Sequence, residues 1–553
     1  MDPEYKAAKE ASVSLLGGGG MWEINFVTSV APVAVLLWTF LQTRQSFFTP
    51  YTVPAALTDF LLNCCTILFA TTMYSSAPQV LLGLLVLPVV ATLLQPKAAS
   101  EQSSKPKAKT DANGKPAEAT ADELTPDDQD PLPIKPFITT YRGAMMVITC
   151  ISILAVDFPV FPRRFAKTES FGTSLMDLGV GSFVFAAGTV AARQQLKEKV
   201  TGISSFVARF KTAMRHSLPL IILGLARLYT VKGLDYPEHV SEYGVHWNFF
   251  FTLALLPPAI AILLPILRFS PAYGLVALII GICYETALTP DMKSYLILAP
   301  RHPDDWLSQN REGVYSFIGY LAIFIAGMGI GTGILPRDPE WGLVIPVRRS
   351  DKKDKKENDD PLDEDAEWLA SVLDHSAPDA AGAASTTTAK PAEEEENPFK
   401  FEYPQGAFFF LLKWSFIWFI LTVWLVWTYG PQLFVSRRMA NLPYVAWVSA
   451  FNTTQLFAFC IIEWLMFPDL YKAPDRQTEA RRIQNATSKV LHAFNRNGLA
   501  LFLLANLLTG GINMSVKTLY MDDISAMVVL VGYIGVLCAT ALMLDHYDIS
   551  IKL

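Results

Sequence analysis

The chain has 553 residues, 51% of them hydrophobic and 17% charged, with a mean hydropathy of +0.30. Setting aside one charged, apolar-poor segment at 351–396 leaves long apolar runs joined by short polar connections, which excludes a soluble multidomain protein and a secreted disulfide scaffold. A net charge of −6, from 45 basic and 51 acidic residues, offers no basic field for nucleic acid.

The opening MDPEYKAAKEASVSLLGGGGMWEINF lacks the basic start, apolar core and small-residue cleavage site of a removable signal. The first apolar run is therefore expected to act as the insertion signal. Runs of roughly 17 to 25 apolar residues can cross a bilayer as helices. Candidates fall at 24–41, 53–73, 77–95, 142–158, 173–192, 216–231, 246–267, 272–289, 314–335, 406–429, 445–467, 497–513 and 524–544. The sequence thus predicts an all-α polytopic membrane protein with about 13 transmembrane helices. Continuous apolarity, without the period-two alternation of barrel strands, favours helices. The run at 216–231 is short and interrupted by Pro219 and Arg227.

The connections carry an orientation signal. Seven Lys/Arg lie between Lys97 and Arg142, six between Arg193 and Arg215, and six between Lys472 and Arg496. These odd-numbered connections are expected in the cytosol by the positive-inside rule. The predicted organisation is a luminal N-terminus at 1–23, helices one to three at 24–95, and a disordered cytosolic loop at 96–134. Helices four to nine with their luminal loops follow at 135–335, then a largely disordered cytosolic loop at 336–405. The last four helices and a short cytosolic C-terminus occupy 406–553. The two long loops lack the apolar surface needed to offset the entropy of ordering them.

One even connection breaks the charge rule: LAVDFPVFPRRFAKTESFGTSLMDLGVGSF, where parity puts Arg163, Arg164 and Lys167 in the lumen. Three positive charges there call for a lipid or coenzyme phosphate, for pairing with Asp157 and Glu169, or for a span count that differs by one. Pro159 and Pro162 stop the helix that precedes them, forming a stiff turn that could fold Lys167 back over Asp157. A boundary aspartate can act as general base toward a hydroxyl and a lysine can stabilise an oxyanion; the two can equally form a structural ion pair.

Inside the runs, Asp177, Arg227, Glu285, Glu463 and Asn506 must face protein, water or a partner, because burying an ionisable group in lipid is costly. Asp177 with Arg227 is a plausible internal pair. Gly179, Gly181, Gly188 and Gly224, with Gly327, Gly329, Gly331 and Gly333, read as close helix-packing surfaces. GVGSF lacks the ending of a phosphate-binding loop. The loop 229–250 gathers aromatics, carboxylates, His239, His246, Trp247 and Asn248, a mixture suited to a sugar or lipid headgroup and also to interface anchoring. Asn310, Arg311 and Glu312 stand just before the ninth run, as headgroup ligands or as helix caps and interface charge. No metal is expected, since no HExxH occurs. The six cysteines form no CxxC, and Cys150 has no histidine beside it in sequence to activate its thiol.

Several strings together resemble the glycosylphosphatidylinositol-anchored wall transfer protein family of fungi. They are WEINF (22–26), AVDFPVFPRRFAKTESFGTSLMDLGVGSFVF (155–185), RLYTVKGLDYPEHVSEYGVHWNFFFTLALLP (227–257), NREGVYSFIGYLAIF (310–324) and NGLALFLLANLLTGGINMS (497–515). The resemblance implies an endoplasmic reticulum acyltransferase with about thirteen helices and a luminal N-terminus. It would move a fatty acyl group, typically palmitoyl, from coenzyme A to the inositol 2-hydroxyl of glucosaminyl-phosphatidylinositol, in a pathway that anchors cell-wall mannoproteins. It further implies that Asp157 and Lys167 are the family's acid and lysine, with acyl-CoA as donor substrate and no tightly bound cofactor. Arg163 and Arg164 are then candidates for coenzyme or lipid phosphates. Asp177, Arg227, His239, His246, Trp247, Asn248 and Asn310 are further binding candidates. The competing readings are a lipid transporter or flippase, a histidine-dependent O-acyltransferase using His246, and a non-catalytic assembly subunit.

Overall fold

A computed structural model describes residues 3–94, 130–201, 205–232, 242–269, 272–337, 406–429, 434–473 and 476–551. Most of the two long charged loops, and His239, lie outside these residues. Helix α1 (Pro3–Val13) precedes α2 (Met21–Thr28) and α3 (Val30–Gln45), which run on as one span. Helix α4 (Val53–Phe60) passes through one π-helical turn, Leu61–Cys65, into α5 (Thr66–Thr71). Then come α6 (Pro78–Leu94), α7 (Pro136–Ala155), α8 (Leu175–Thr201), α9 (Phe206–Lys232), α10 (Phe249–Phe269), α11 (Tyr273–Ala287), α12 (Pro290–Leu298) and α13 (Trp306–Ile334). The chain closes with α14 (Ala407–Tyr429), α15 (Leu442–Met466), α16 (Arg476–Asn485), α17 (Lys489–Arg496), α18 (Gly498–Ser515) and α19 (Asp523–His546).

Local chemistry sets these boundaries. Thr52, Thr289, Asp305, Asn441, Ser488 and Asp522 each cap a helix by accepting a backbone N–H two or three residues on. Prolines follow at the first or second position of α4, α12 and α15, where no amide is needed.

Each of the thirteen apolar segments is helical, and the protein is an all-α polytopic membrane protein. Among the described residues, ten helical spans are long and apolar enough to cross a membrane on their own, and eleven if the bent pair α11–α12 is one span. Helix α6 is short at 17 residues. Helix α9 has 27 residues and begins ten positions earlier than its apolar run, but Arg209, Lys211, Arg215 and Arg227 dilute its apolarity. The eighth segment turns by 83° between α11 and α12.

Three of the glycines, Gly188, Gly327 and Gly331, pack between α8 and α13, whereas Gly181, Gly224, Gly329 and Gly333 face other elements and Gly179, against expectation, meets nothing within 4 Å. A Cβ on Gly188 would stand 2.1 Å from the Phe324 carbonyl oxygen, on Gly327 2.2 Å from that of Phe185, and on Gly331 2.1 Å from that of Thr189. Backbone atoms cannot step aside, so Gly327→Ala should cost about 1–3 kcal/mol through overpacking. Earlier thermal unfolding in detergent would register it, while Gly532→Ala, which meets nothing within 4 Å, should unfold like the parent.

Connections gather at two ends. At one, Gly19 N donates to Thr173 O (2.7 Å), Gly172 N to Val435 O (2.8 Å), Gly313 N to Tyr243 O (2.8 Å), and Arg438 to Leu296 O (3.3 Å). At the other, Arg337 holds Glu479 (2.8 Å), its amide donates to Pro131 O (2.9 Å), Arg193 donates to Leu132 O (2.7 Å), and Ser488 to Asp59 (2.7 Å).

Candidate active site

The connection 156–174 is pinned by aromatic burial. Phe158, Phe161 and Phe165 are each fully buried, and Phe161 meets Phe165 edge to face at 5.9 Å. Between these anchors the two prolines and a 3₁₀ turn at Arg163–Phe165 fix the backbone. A strap from the N-terminus lies against the same loop: Leu15 N donates to Glu169 (2.8 Å), and Thr173 Oγ1 donates to Gly19 O (2.7 Å). Gly18 takes φ +78° there, and a Cβ on it would stand 2.2 Å from Thr173 O, so only glycine suits the crossing.

Asp157 sits just past the end of α7, 8% exposed. Its Oδ1 pairs with Lys9 Nζ of α1 at 3.0 Å, and its Oδ2 accepts from Asn513 Nδ2 of α18 at 2.8 Å. Lys9 also donates to Asn513 Oδ1 (2.9 Å), and Thr518 Oγ1 donates to that same oxygen (3.2 Å). Tyr5, 3% exposed, bonds Thr518 at 3.3 Å and accepts from Leu519 N at 3.2 Å, fastening α1 over the aspartate. Arg163 donates to Val156 O (2.5 Å); burial draws its guanidinium below the ordinary range, against the pull of Asp157.

Lys167 does not fold back onto Asp157. Its Nζ holds Glu242 Oε2 at 3.0 Å, and Glu242 Oε1 lies 3.9 Å from Arg437 Nη2. Arg437 Nε in turn holds Asp177 Oδ1 at 2.6 Å, while Asp177 Oδ2 accepts from both the amide (3.0 Å) and the hydroxyl (2.7 Å) of Thr168. Charges therefore alternate along Asp177, Arg437, Glu242 and Lys167. Burial would weaken the proton affinity of Arg437, but Glu242 and Asp177 outweigh it and hold the guanidinium well above its usual range. Arg437 Nη1 has no hydrogen-bond partner among the described residues. Lys167, with its side chain 36% exposed, is the accessible end of this chain.

The sequence paired Asp177 with Arg227, and here the structure differs. Asp177 takes Arg437 because the 434–441 turn drops onto the start of α8, where Tyr444 OH also donates to Asp177 O (2.7 Å). Arg227 is exposed on α9. Arg164 holds Glu23 (2.6 Å) and Glu169 accepts from Leu15 N, in place of the pairing expected within the loop. His246, Trp247, Asn248 and Asn310 do come together. Asn310 breaks α13 at φ −120°, ψ 17° and accepts from His246 N (2.8 Å); Trp247 packs on Gly313 and donates to Thr252 (2.9 Å). Asn248 caps α10, accepting from Phe250 N at 3.0 Å. Glu312 is neither a cap nor an interface charge, being fully buried between Arg301 (2.8 Å) and Arg438 (2.7 Å).

Lys9, Glu242, Arg437 and Asn513 were missed as site residues. Arg437 carried a signal: with Arg438 it is a basic pair on a connection that parity assigns to the same side as Arg163, Arg164 and Lys167, and so equally against the charge rule.

Comparison with known proteins shows the family. The family model described as GWT1 matches residues 5–544. The GPI-anchored wall transfer protein 1 of Aspergillus fumigatus is 46% identical over 555 residues, covering 100% of this chain and 99% of its own. That of Emericella nidulans is 46% identical over 559 residues, covering 100% of each chain, and that of Candida albicans 36% over 564 residues, again 100% of each. At such identity across the whole length, the chain belongs to the GPI-anchored wall transfer protein 1 (GWT1) family.

Proposed function

We propose that the protein is an O-acyltransferase of GPI-anchor biosynthesis in the endoplasmic reticulum membrane. It moves a palmitoyl group from coenzyme A to the inositol 2-hydroxyl of glucosaminyl-phosphatidylinositol. The observation that carries this reading is Asp157, a nearly buried carboxylate at the end of a spanning helix, oriented through both oxygens by Lys9 and Asn513. In the reaction the inositol oxygen attacks the thioester carbonyl carbon, its proton passes to Asp157, and the C–S bond breaks to release the thiolate, which is then protonated. The ester product leaves Asp157 to lose its proton to solvent. Lys167, whose cation belongs to Glu242 rather than to Asp157, is available to meet the carbonyl oxygen or a substrate phosphate.

The two-ended gathering of connections supports thirteen crossings. The N-terminal strap meets 168–173 and Thr518, 172 meets 435, and 243 meets 313, so these segments share one side. Connections bearing Leu132, Arg337, Glu479 and Ser488 share the other. Strict alternation follows if α6, α9 and the bent α11–α12 each cross once. With the positive-inside rule this gives a luminal N-terminus and a cytosolic C-terminus. A tag between 159 and 172 should then be reachable only from the lumen; cytosolic labelling would reverse the sidedness.

The test of activity is purified protein with labelled palmitoyl-CoA and glucosaminyl-phosphatidylinositol. Ester should form on the inositol, and Lys167→Met should slow it at least tenfold while still folding. No transfer by the parent protein would leave the transporter and assembly-subunit readings standing instead.

A further inference from the structure

The cation facing Asp157 is not the lysine that the family resemblance suggests. Lys9 comes from α1, a short helix too polar to cross a membrane; its side chain is 14% exposed and meets both the carboxylate and the amide that orients it. Helix α1 is tied down on both sides of this contact, by Tyr5 on the 518–519 turn and by the Leu15–Gly19 strap on the 168–173 loop. Two fasteners for an eleven-residue helix otherwise lying outside the bundle hold one side chain in place.

We infer that Lys9 is a positioning residue for acyl transfer: by holding Oδ1 of Asp157 and the Asn513 amide that aligns Oδ2, it fixes the carboxylate in the rotamer that accepts the inositol proton. This rests on the acyltransferase reading above. The groups that face Asp157 among the described residues are Lys9 from α1, Asn513 and, through it, Thr518 and Tyr5, and Arg163 from the following turn, whose guanidinium interacts with it electrostatically. Asn513 and Thr518 carry no charge. Lys9 is thus the cation in direct contact, and Arg163 donates instead to a carbonyl.

Without Lys9 the carboxylate keeps only the Asn513 amide and can turn away from the attacking hydroxyl; misplacing a reacting group by about 1 Å can cost about 10²-fold in rate. Lys9→Met should therefore lower kcat about tenfold or more, with the acyl-CoA KM and the thermal midpoint little changed. Lys9→Gln, which keeps a polar end able to bond Asn513 but no charge for the carboxylate, should show a similar loss, and Lys9→Arg should restore most of the parent kcat.

Unchanged kcat in the folded Lys9→Met and Lys9→Gln proteins, or a loss that falls on the acyl-CoA KM alone, would overturn the assignment. So would collapse of both variants with full rescue by Lys9→Arg, which would make Lys9 a strut for α1. The parent protein run alongside separates the two claims: no transfer by it defeats the acyltransferase reading, whereas transfer with unmoved variant kcat defeats only the role of Lys9.

Discussion

Asp157→Asn should lower acyl transfer by about 10²–10⁴-fold, the range for removing a general base. The substitution keeps the shape of the side chain, so the introduced amide can still face Lys9 and Asn513, and the fold should survive with a modest loss. What disappears is the only function an amide cannot supply, acceptance of the inositol proton as the C–O bond forms. The rate should fall without a matching rise in the KM for acyl-CoA, because the thioester is not held by this carboxylate. Turnover above a tenth of the parent, in protein shown by its thermal midpoint to be folded, would remove Asp157 from the chemistry. Asp157→Ala is a weaker test, since it also leaves Lys9 without its anion near a buried amide.

The membrane architecture was legible because lipid permits so few solutions. A backbone that must satisfy its own amides writes its spans as continuous apolar runs, and every such run here is a helix. The charge anomaly at Arg163, Arg164 and Lys167 lies at the end where the N-terminal strap and the turn at 434–441 also gather. What the pattern could not supply was pairing. Asp177 and Arg437 are 260 positions apart, and Asp157 and Asn513 are 356 apart. Helical periodicity says which face of a helix is apolar, not which distant turn drops onto its first residue. Lys9 was hidden for another reason: α1 is a polar segment with no spanning pattern, so nothing in it distinguished a side chain bound for the site from a solvated one. Asn513 illustrates the same point, for a position that reads as the edge of a helix proves to be the amide aligning the carboxylate. The parity argument could have been pressed further, because a basic pair at 437–438 on the disfavoured side calls for carboxylates in the same way as the first anomaly.

Arg437→Met should be the most destabilising single change at the site, by about 3–5 kcal/mol, the cost of stripping one partner from a buried ion pair. Arg437 is 2% exposed and Asp177 is 0% exposed, so water cannot take over from the lost guanidinium. Thr168 would still donate to one oxygen of Asp177, but the other would face an apolar side chain, and Glu242 would lose Arg437 while keeping Lys167. Arg437→Lys should recover only part of the loss, since a compact ammonium lacks the planar fork whose Nε and Nη2 reach Asp177 and Glu242 from one rigid group. The decisive measurement is a double-mutant cycle on thermal midpoints in detergent. Asp177→Asn combined with Arg437→Met removes both charges and should be less destabilised than Arg437→Met alone, by a coupling of about 1 kcal/mol or more. Simple additivity of the two single changes would mean that the buried pair does not hold the 434–441 turn against α8, and that the polar chain leading to Lys167 is organised by something else.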